Sequence, residues 1–261
     1  MKIFLSSLEN ANTEKGRYEV QNLSSKIIER GVHMKWNLLS YYYLQKKDVI
    51  ANQIRDNSEE ILIDSGAHSF QFGIKTDFTE YTKKYAEFIK RFDRPNVIGY
   101  FEMDIENVIG MDKVLELRKY LEHYTDKIIP VWHKGRGIDD YLKMCEDYAG
   151  KIIAIGGFRG TDIRDDQYLL FLKHARKHNC KVHCLGMTRT AVLDKVPFDY
   201  TDSASWHLSS IHGRPYTKDK TKKFARAKNM AEWSEQDYFN YCEGIKLQEH
   251  YYRKWRKVCK D

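Results

Sequence analysis

Short apolar runs alternate along this chain with longer segments in which apolar residues recur every three or four positions. The runs predict strands over residues 2–6, 34–38, 60–64, 97–104, 127–132, 151–156, 181–185 and 198–202. Between them, Phe78, Tyr81, Tyr85, Phe88, Ile89 and Phe92 fall on one helical face. So do Ile138, Tyr141, Leu142, Cys145, Tyr148 and Ala149, and further on Tyr168, Phe171, Leu172 and Ala175. Asp93-Arg94-Pro95, Gly135-Arg136-Gly137 and Gly156-Gly157 supply turn and cap signals between these elements. Eight strands alternating with helices predict an α/β fold, a (β/α)8 TIM barrel over residues 1–210. A doubly wound open sheet is the alternative, because the run at 34–38 is weak and that at 198–202 is short. After Trp206 the alternation stops at Gly213-Arg214-Pro215, and a Lys-rich stretch follows. Residues 211–261 are therefore expected to form a basic helical C-terminal extension packed on the barrel.

Charge sharpens that division. The net charge is +7, and residues 214–261 hold 13 Lys or Arg against 7 Asp or Glu, so the preceding residues carry only +1. A basic tail on a near-neutral body suggests a polyanionic partner, and a solvated helical face is the competing reading. No apolar run reaches the about 18 residues of a membrane span, and the first run is too short for a secretion signal. The five cysteines fall at irregular spacing, which suits a reducing compartment. A cytoplasmic location, including the cytoplasm of a phage-infected host, and no membrane partner are expected.

Three aspartates end predicted strands. Asp64 closes Ile-Leu-Ile and opens Asp64-Ser65-Gly66, Asp104 follows Phe101-Glu102-Met103, and Asp202 lies in Tyr200-Thr201-Asp202-Ser203. In barrels and open α/β sheets the carboxyl ends of strands converge where chemistry is carried out. The competing reading for Asp64 and Asp104 is a capping role for the next helix. For Asp202, the small hydroxyl residues around it leave room for a ligand. Gly156-Gly157 offers exposed backbone to a ligand, but no GxGxxG or P-loop pattern accompanies it. His133 and His183 also stand near strand ends, where a structural histidine is the ordinary reading. Cys180 and Cys184 share a strand face from which His183 points away, so no metal is expected there.

The ordered set of motifs resembles the tRNA-guanine transglycosylase superfamily, and more closely its phage-type DNA-guanine transglycosylase members. Asp64-Ser65-Gly66-Ala67-His68-Ser69-Phe70 resembles the family's Asp-Ser-Gly-Gly-Phe-Gln segment. Phe101-Glu102-Met103-Asp104 resembles the strand ending in its base-recognising aspartate, and Ile155-Gly156-Gly157-Phe158 its Gly-Gly strand end. Leu185-Gly186, followed by residues 198–206, resembles its Met-Gly segment and the strand bearing the nucleophile. The likeness spans roughly residues 59–206.

The resemblance implies exchange of guanine in DNA for a 7-deazaguanine base such as preQ0 or preQ1, without a cofactor. It implies Asp202 as nucleophile, Asp64 as general acid/base and Asp104 as acceptor for the base edge. Ser65, Gly66, His133 and the amides of Gly156 and Gly157 would bind the base, with His68 where the family stacks an aromatic ring. Asp199 competes with Asp202 as nucleophile. The glutamine that the family sets against the base is replaced by the Trp132-His133 region. Only Cys242 and Cys259 follow Asp202, so the family's zinc subdomain is not expected, which tilts the substrate from tRNA toward DNA. Arg253, Lys254, Arg256 and Lys257 in the tail would grip phosphates. Exchange on tRNA, hydrolytic base removal and a noncatalytic nucleic-acid-binding barrel are the alternatives.

Overall fold

The computed structural model describes the chain except residues 14–20, 71–75, 157–162, 218, 220 and 260–261; for Asn12, Thr13, Gln21 and His68 it describes the backbone alone. Nine parallel strands form one sheet: β1 (Lys2–Ser6), β2 (Met34–Ser40), β3 (Ser58–Asp64), β4 (Val97–Phe101), β5 (Ile128–Ile129), β6 (Val131–His133), β7 (Ile152–Gly156), β8 (Lys181–Leu185) and β9 (Tyr200–Ser203). Consecutive strands pair from β1 to β5 and from β6 to β9, and β9 pairs back onto β1. Only Pro130 separates β5, which pairs with β4, from β6, which pairs with β7. Proline has no N–H to give to a ladder, so the backbone is interrupted there, while its carbonyl still accepts from Ala154 at 2.9 Å. The result is a nearly closed parallel barrel surrounded by helices, compatible with a TIM-like barrel.

The helices follow the strands: α1 (Leu23–Glu29), α2 (Asp48–Asp56), α3 (Phe78–Phe92), α4 (Met111–Glu122), α5 (Ile138–Asp147), α6 (Tyr168–Lys177), α7 (Ser205–Ile211) and α8 (Met230–Trp255). Local chemistry sets their ends. Asp77 accepts from the amides of Thr79 and Glu80 to start α3, and Asn229 accepts from Glu232 to start α8. Tyr81, Tyr85, Phe88, Ile89 and Phe92 of α3 are buried, as their spacing predicts. Tyr85 stacks on Tyr41, and its hydroxyl reaches the carbonyls of Ile63 and Phe101, tying helix to sheet.

Both faces of the strands are covered. Outward residues such as Leu5, Ile61 and Ile63 pack under the helices. Inward, Phe4, Leu38, Leu62, Phe101, Val131, Ala154 and Tyr200 fill the lumen. Helix α8 lies across β1 and β2: Gln248 donates to the carbonyls of Ile3 and Trp36 at 2.8 and 2.6 Å, and Tyr241 donates to Asn37. The boundary expected after residue 210 falls inside α7. The strand expected over 97–104 ends at Phe101, because Glu102 turns into a buried ion cluster. There Arg118 binds both carboxylate oxygens, the Val131 amide donates at 2.6 Å, and Arg136 bridges Glu102 and Glu106. Among the described residues no helix is long and apolar enough to cross a membrane.

Glu102 is fully buried between two largely buried arginines. Removing its charge strands the Arg118 cation in a low-dielectric setting and leaves Arg136 to Glu106 alone. Glu102→Gln should lower stability by about 3–5 kcal/mol in urea unfolding. A loss below about 1 kcal/mol would mean that the arginines find other partners.

Candidate active site

Strand parity places the site. Phe4 pairs with Asp202, Ser40 with Asp64, and His133 with Gly156. Because side chains alternate faces, Ser6, Ser40, Asp64, His133, Gly156 and Asp202 form one inward layer at the carboxyl end of the barrel. Asp104 follows β4 at the same end, with its Oδ2 3.2 Å from His133 Nε2. The three expected aspartates thus share one rim, close enough for the charges of Asp104 and Asp202 to act on Asp64.

Each is held differently. Asp202 accepts from the Ser6 hydroxyl at 3.0 Å and the Gly186 amide at 2.8 Å, and its Oδ1 lies 3.1 Å from His183 Nε2. His183 is fully buried beside the rings of Phe4 and Phe101, so its position is fixed by packing. Asp64 accepts from the Gly66 amide at 2.9 Å, closing its own turn. Gly66 has φ +83°, and a Cβ there would fall 2.3 Å from that of Tyr42. That bond closes the turn ahead of Ala67–Phe70, and the cap of the following helix α3 is Asp77.

Burial raises the Asp64 carboxyl to about 7; the charges of Asp104 and Asp202 add to the rise, and the Gly66 amide and Ser40 hydroxyl oppose it. Burial also holds Asp104 above the ordinary carboxylate range, against the pull of His133. Burial acts to lower His133, but the hydrogen bond and charge of Asp104 outweigh it and leave the imidazole raised.

Other expected residues fare unequally. Ser65 is fully buried, with its hydroxyl accepting from Ala67, so it braces the turn instead of facing a ligand. Gly156 makes room for His133: a Cβ there would lie 2.2 Å from the imidazole. Gly157 and the side chain of His68 lie outside the described residues. Asp199 stands at the other end of β9 and accepts from the Val182 amide at 2.8 Å, which leaves Asp202 as the carboxylate at the rim.

The basic tail also lies at that other end. Lys254 pairs with Asp194 at 2.6 Å, Trp255 donates to the Leu193 carbonyl, and Cys259 contacts the carbonyls of Pro197 and Phe198. Those partners all precede β9, whereas Asp202 is near its end. Tyr252 packs on Trp36, inside the barrel floor. Arg253, Lys254, Arg256 and Lys257 are thus a barrel length from the carboxylates.

Sequence reasoning missed Ser6, Ser40 and Glu9, and discounted His183. Parity could have found the serines, since each lies two positions beyond an inward apolar residue. Glu9 had no signal. It is buried beyond β1, accepts from the Ser40 amide at 3.1 Å, and burial lifts it to about 7. A cavity of about 450 Å³, lined by Ile3, Met187, Ser203, Tyr216, Lys246 and His250 among others, lies outside the barrel wall beneath α8 and does not include the carboxylates. Among the described residues no group of three or more His, Cys, Asp or Glu is arranged to hold a metal.

Because Asp64 is raised in the folded chain, it retains a proton that the unfolded chain gives up near its ordinary value of 3.8. Its favourable contribution is complete below that value and is lost as pH rises through about 7. Asp64→Asn should therefore be more stable than the natural chain at pH about 8, by on the order of 2–4 kcal/mol. The gain should vanish below pH about 4. Thermal unfolding across that range checks it, and a pH-independent difference would contradict the carboxyl's raised value.

No protein-family model, curated protein or solved structure matches this chain.

Proposed function

We propose that the protein is a (β/α)8 barrel, with β5 and β6 counting as one strand, that exchanges guanine in DNA for a 7-deazaguanine base. The observation that carries this reading is a rim where one carboxylate is fixed by three polar neighbours while a second is raised to about 7 by burial and by its acidic neighbours. That division of labour is what retaining glycosyl transfer requires.

Asp202 attacks the anomeric carbon, forming a C–O bond as the bond to guanine breaks. Asp64, near half protonation at neutral pH, gives its proton to the departing base. The incoming 7-deazaguanine returns a proton to Asp64 as its nitrogen attacks the same carbon and releases Asp202. The Asp104 carboxylate, steadied by His133, accepts hydrogen bonds from the edge of the base. The target base must leave the stack to reach this rim. Guanine exchange in tRNA would use the same atoms.

Asp202→Asn should abolish both base exchange and a denaturation-resistant enzyme–DNA adduct, whereas Asp199→Asn should retain the adduct. Mass spectrometry of nucleosides from DNA incubated with preQ0 or preQ1 provides the readout. Exchange at the normal rate by Asp202→Asn would refute the assignment.

A further inference from the structure

A second cationic surface lies beyond the rim, in the segment between α7 and α8. Residues of α7 pair with α8 in reverse order: the Trp206 ring packs on Tyr241, whereas Ser210 meets Asn240 and accepts from Trp233. Farther along, α8 descends the barrel wall, with Gln248 at Ile3 and Tyr251 buried in the same apolar cluster as Met1. Helix α7 therefore rises away from the rim, and its seven residues span about 10 Å. It starts three residues after Asp202.

A cleft of about 480 Å³ opens where α7 ends and α8 begins, with Ile211, Met230 and Trp233 as its apolar lining and Arg226 and Lys228 among its walls. The connecting segment packs on α8 through Phe224 against Phe239 and through the Ala225 carbonyl, which accepts from Gln236. Arg214, Lys222, Lys223, Arg226 and Lys228 are exposed, and among the described residues none forms an ion pair. Lys222 instead lies 4.0 Å over the Phe239 ring. Elsewhere on α8 and its neighbours, Lys26 and Arg30 pair with Glu235, Lys246 with Glu243, Arg253 with Glu249 and Lys254 with Asp194.

We propose that this cleft seats the phosphodiester backbone of the strand whose base enters the carboxylate rim. The inference rests on the base-exchange reading for the identity of the strand, but the chemistry is its own. The exposed Arg226 and Lys228 in its walls suit successive phosphates, and the half-exposed Trp233 suits a stacked base. Asp202 lies three residues before α7, whose own length of about 10 Å is on the order of three nucleotide steps. In the tail at the opposite end, Lys254 and Trp255 bind the floor segment, while Arg256 and Lys257 are exposed.

The test compares the full chain with Arg226→Ala/Lys228→Ala, with Lys222→Gln/Lys223→Gln, and with Arg253→Ala/Arg256→Ala/Lys257→Ala. Fluorescence anisotropy of a labelled single-stranded oligonucleotide, as DNA and as RNA, is read against salt concentration. Each double variant should reduce the slope of log Kd against log salt by about two, and the tail variant should leave it unchanged. A slope unchanged in both double variants, or reduced only in the tail variant, overturns the proposal. Base exchange by the natural chain is measured alongside. Exchange with groove-independent binding defeats the cleft alone; groove-dependent binding without exchange defeats the enzymatic reading and leaves the cleft standing.

Discussion

Alternation of side chains across the strands, locked by the pairing of β9 with β1, is the constraint on which the site depends. Asp202 reaches the lumen because it pairs with Phe4, itself an inward residue, and Asp64 because it pairs with Ser40. Shifting either pairing by one position would turn the carboxylate toward the helices and bring Ser203 or Ile63 inward. The packed lumen resists that shift, since Phe4, Leu62, Phe101 and Tyr200 occupy it and would have to be exchanged for residues that suit the outer layer.

Within that frame the rim is polar for a physical reason. Carboxylates at the end of an apolar lumen lose solvent, and each is compensated in its own way. Asp202 gains Ser6, His183 and the Gly186 amide; Asp104 gains His133; Asp64 keeps its proton to higher pH. Glu9 extends the same logic outward through the Ser40 amide. Neighbouring acids with different supports acquire different proton affinities, and that asymmetry is what allows similar groups to take different chemical roles.

The two ends of the barrel are chemically distinct although both carry positive charge. At the amino end, Lys254 and Trp255 of α8 and Cys259 just beyond it bind the segment that leads into β9, while Arg256 and Lys257 are exposed. Beyond α7, the α7–α8 connection presents exposed cations, of which Lys222 is near Asp219 and over the Phe239 ring. An excess of basic residues in the last part of the chain is a property of composition; which end of the barrel receives them depends on the direction in which α8 runs.

Much of the architecture was legible along the chain because burial on both faces makes parallel strands read as apolar runs, and helices on a barrel keep a 3.6-residue rhythm. Residues 152–156 and α3 follow that rule closely, and Asp64, Asp104 and Asp202 were recognisable as strand-end carboxylates. The break at Pro130, the ion cluster at Glu102 and the inward turn of Ser6, Ser40 and His183 were not, since they arise from partners distant in sequence: Ala154 for Pro130, Arg118 and Arg136 for Glu102, Asp202 for Ser6 and His183, Asp64 for Ser40. Local periodicity reports which residues avoid water. The closure of the barrel, a long-range event, settles which of them meet, and hence that Asp202 faces the rim while Asp199 stays at the floor.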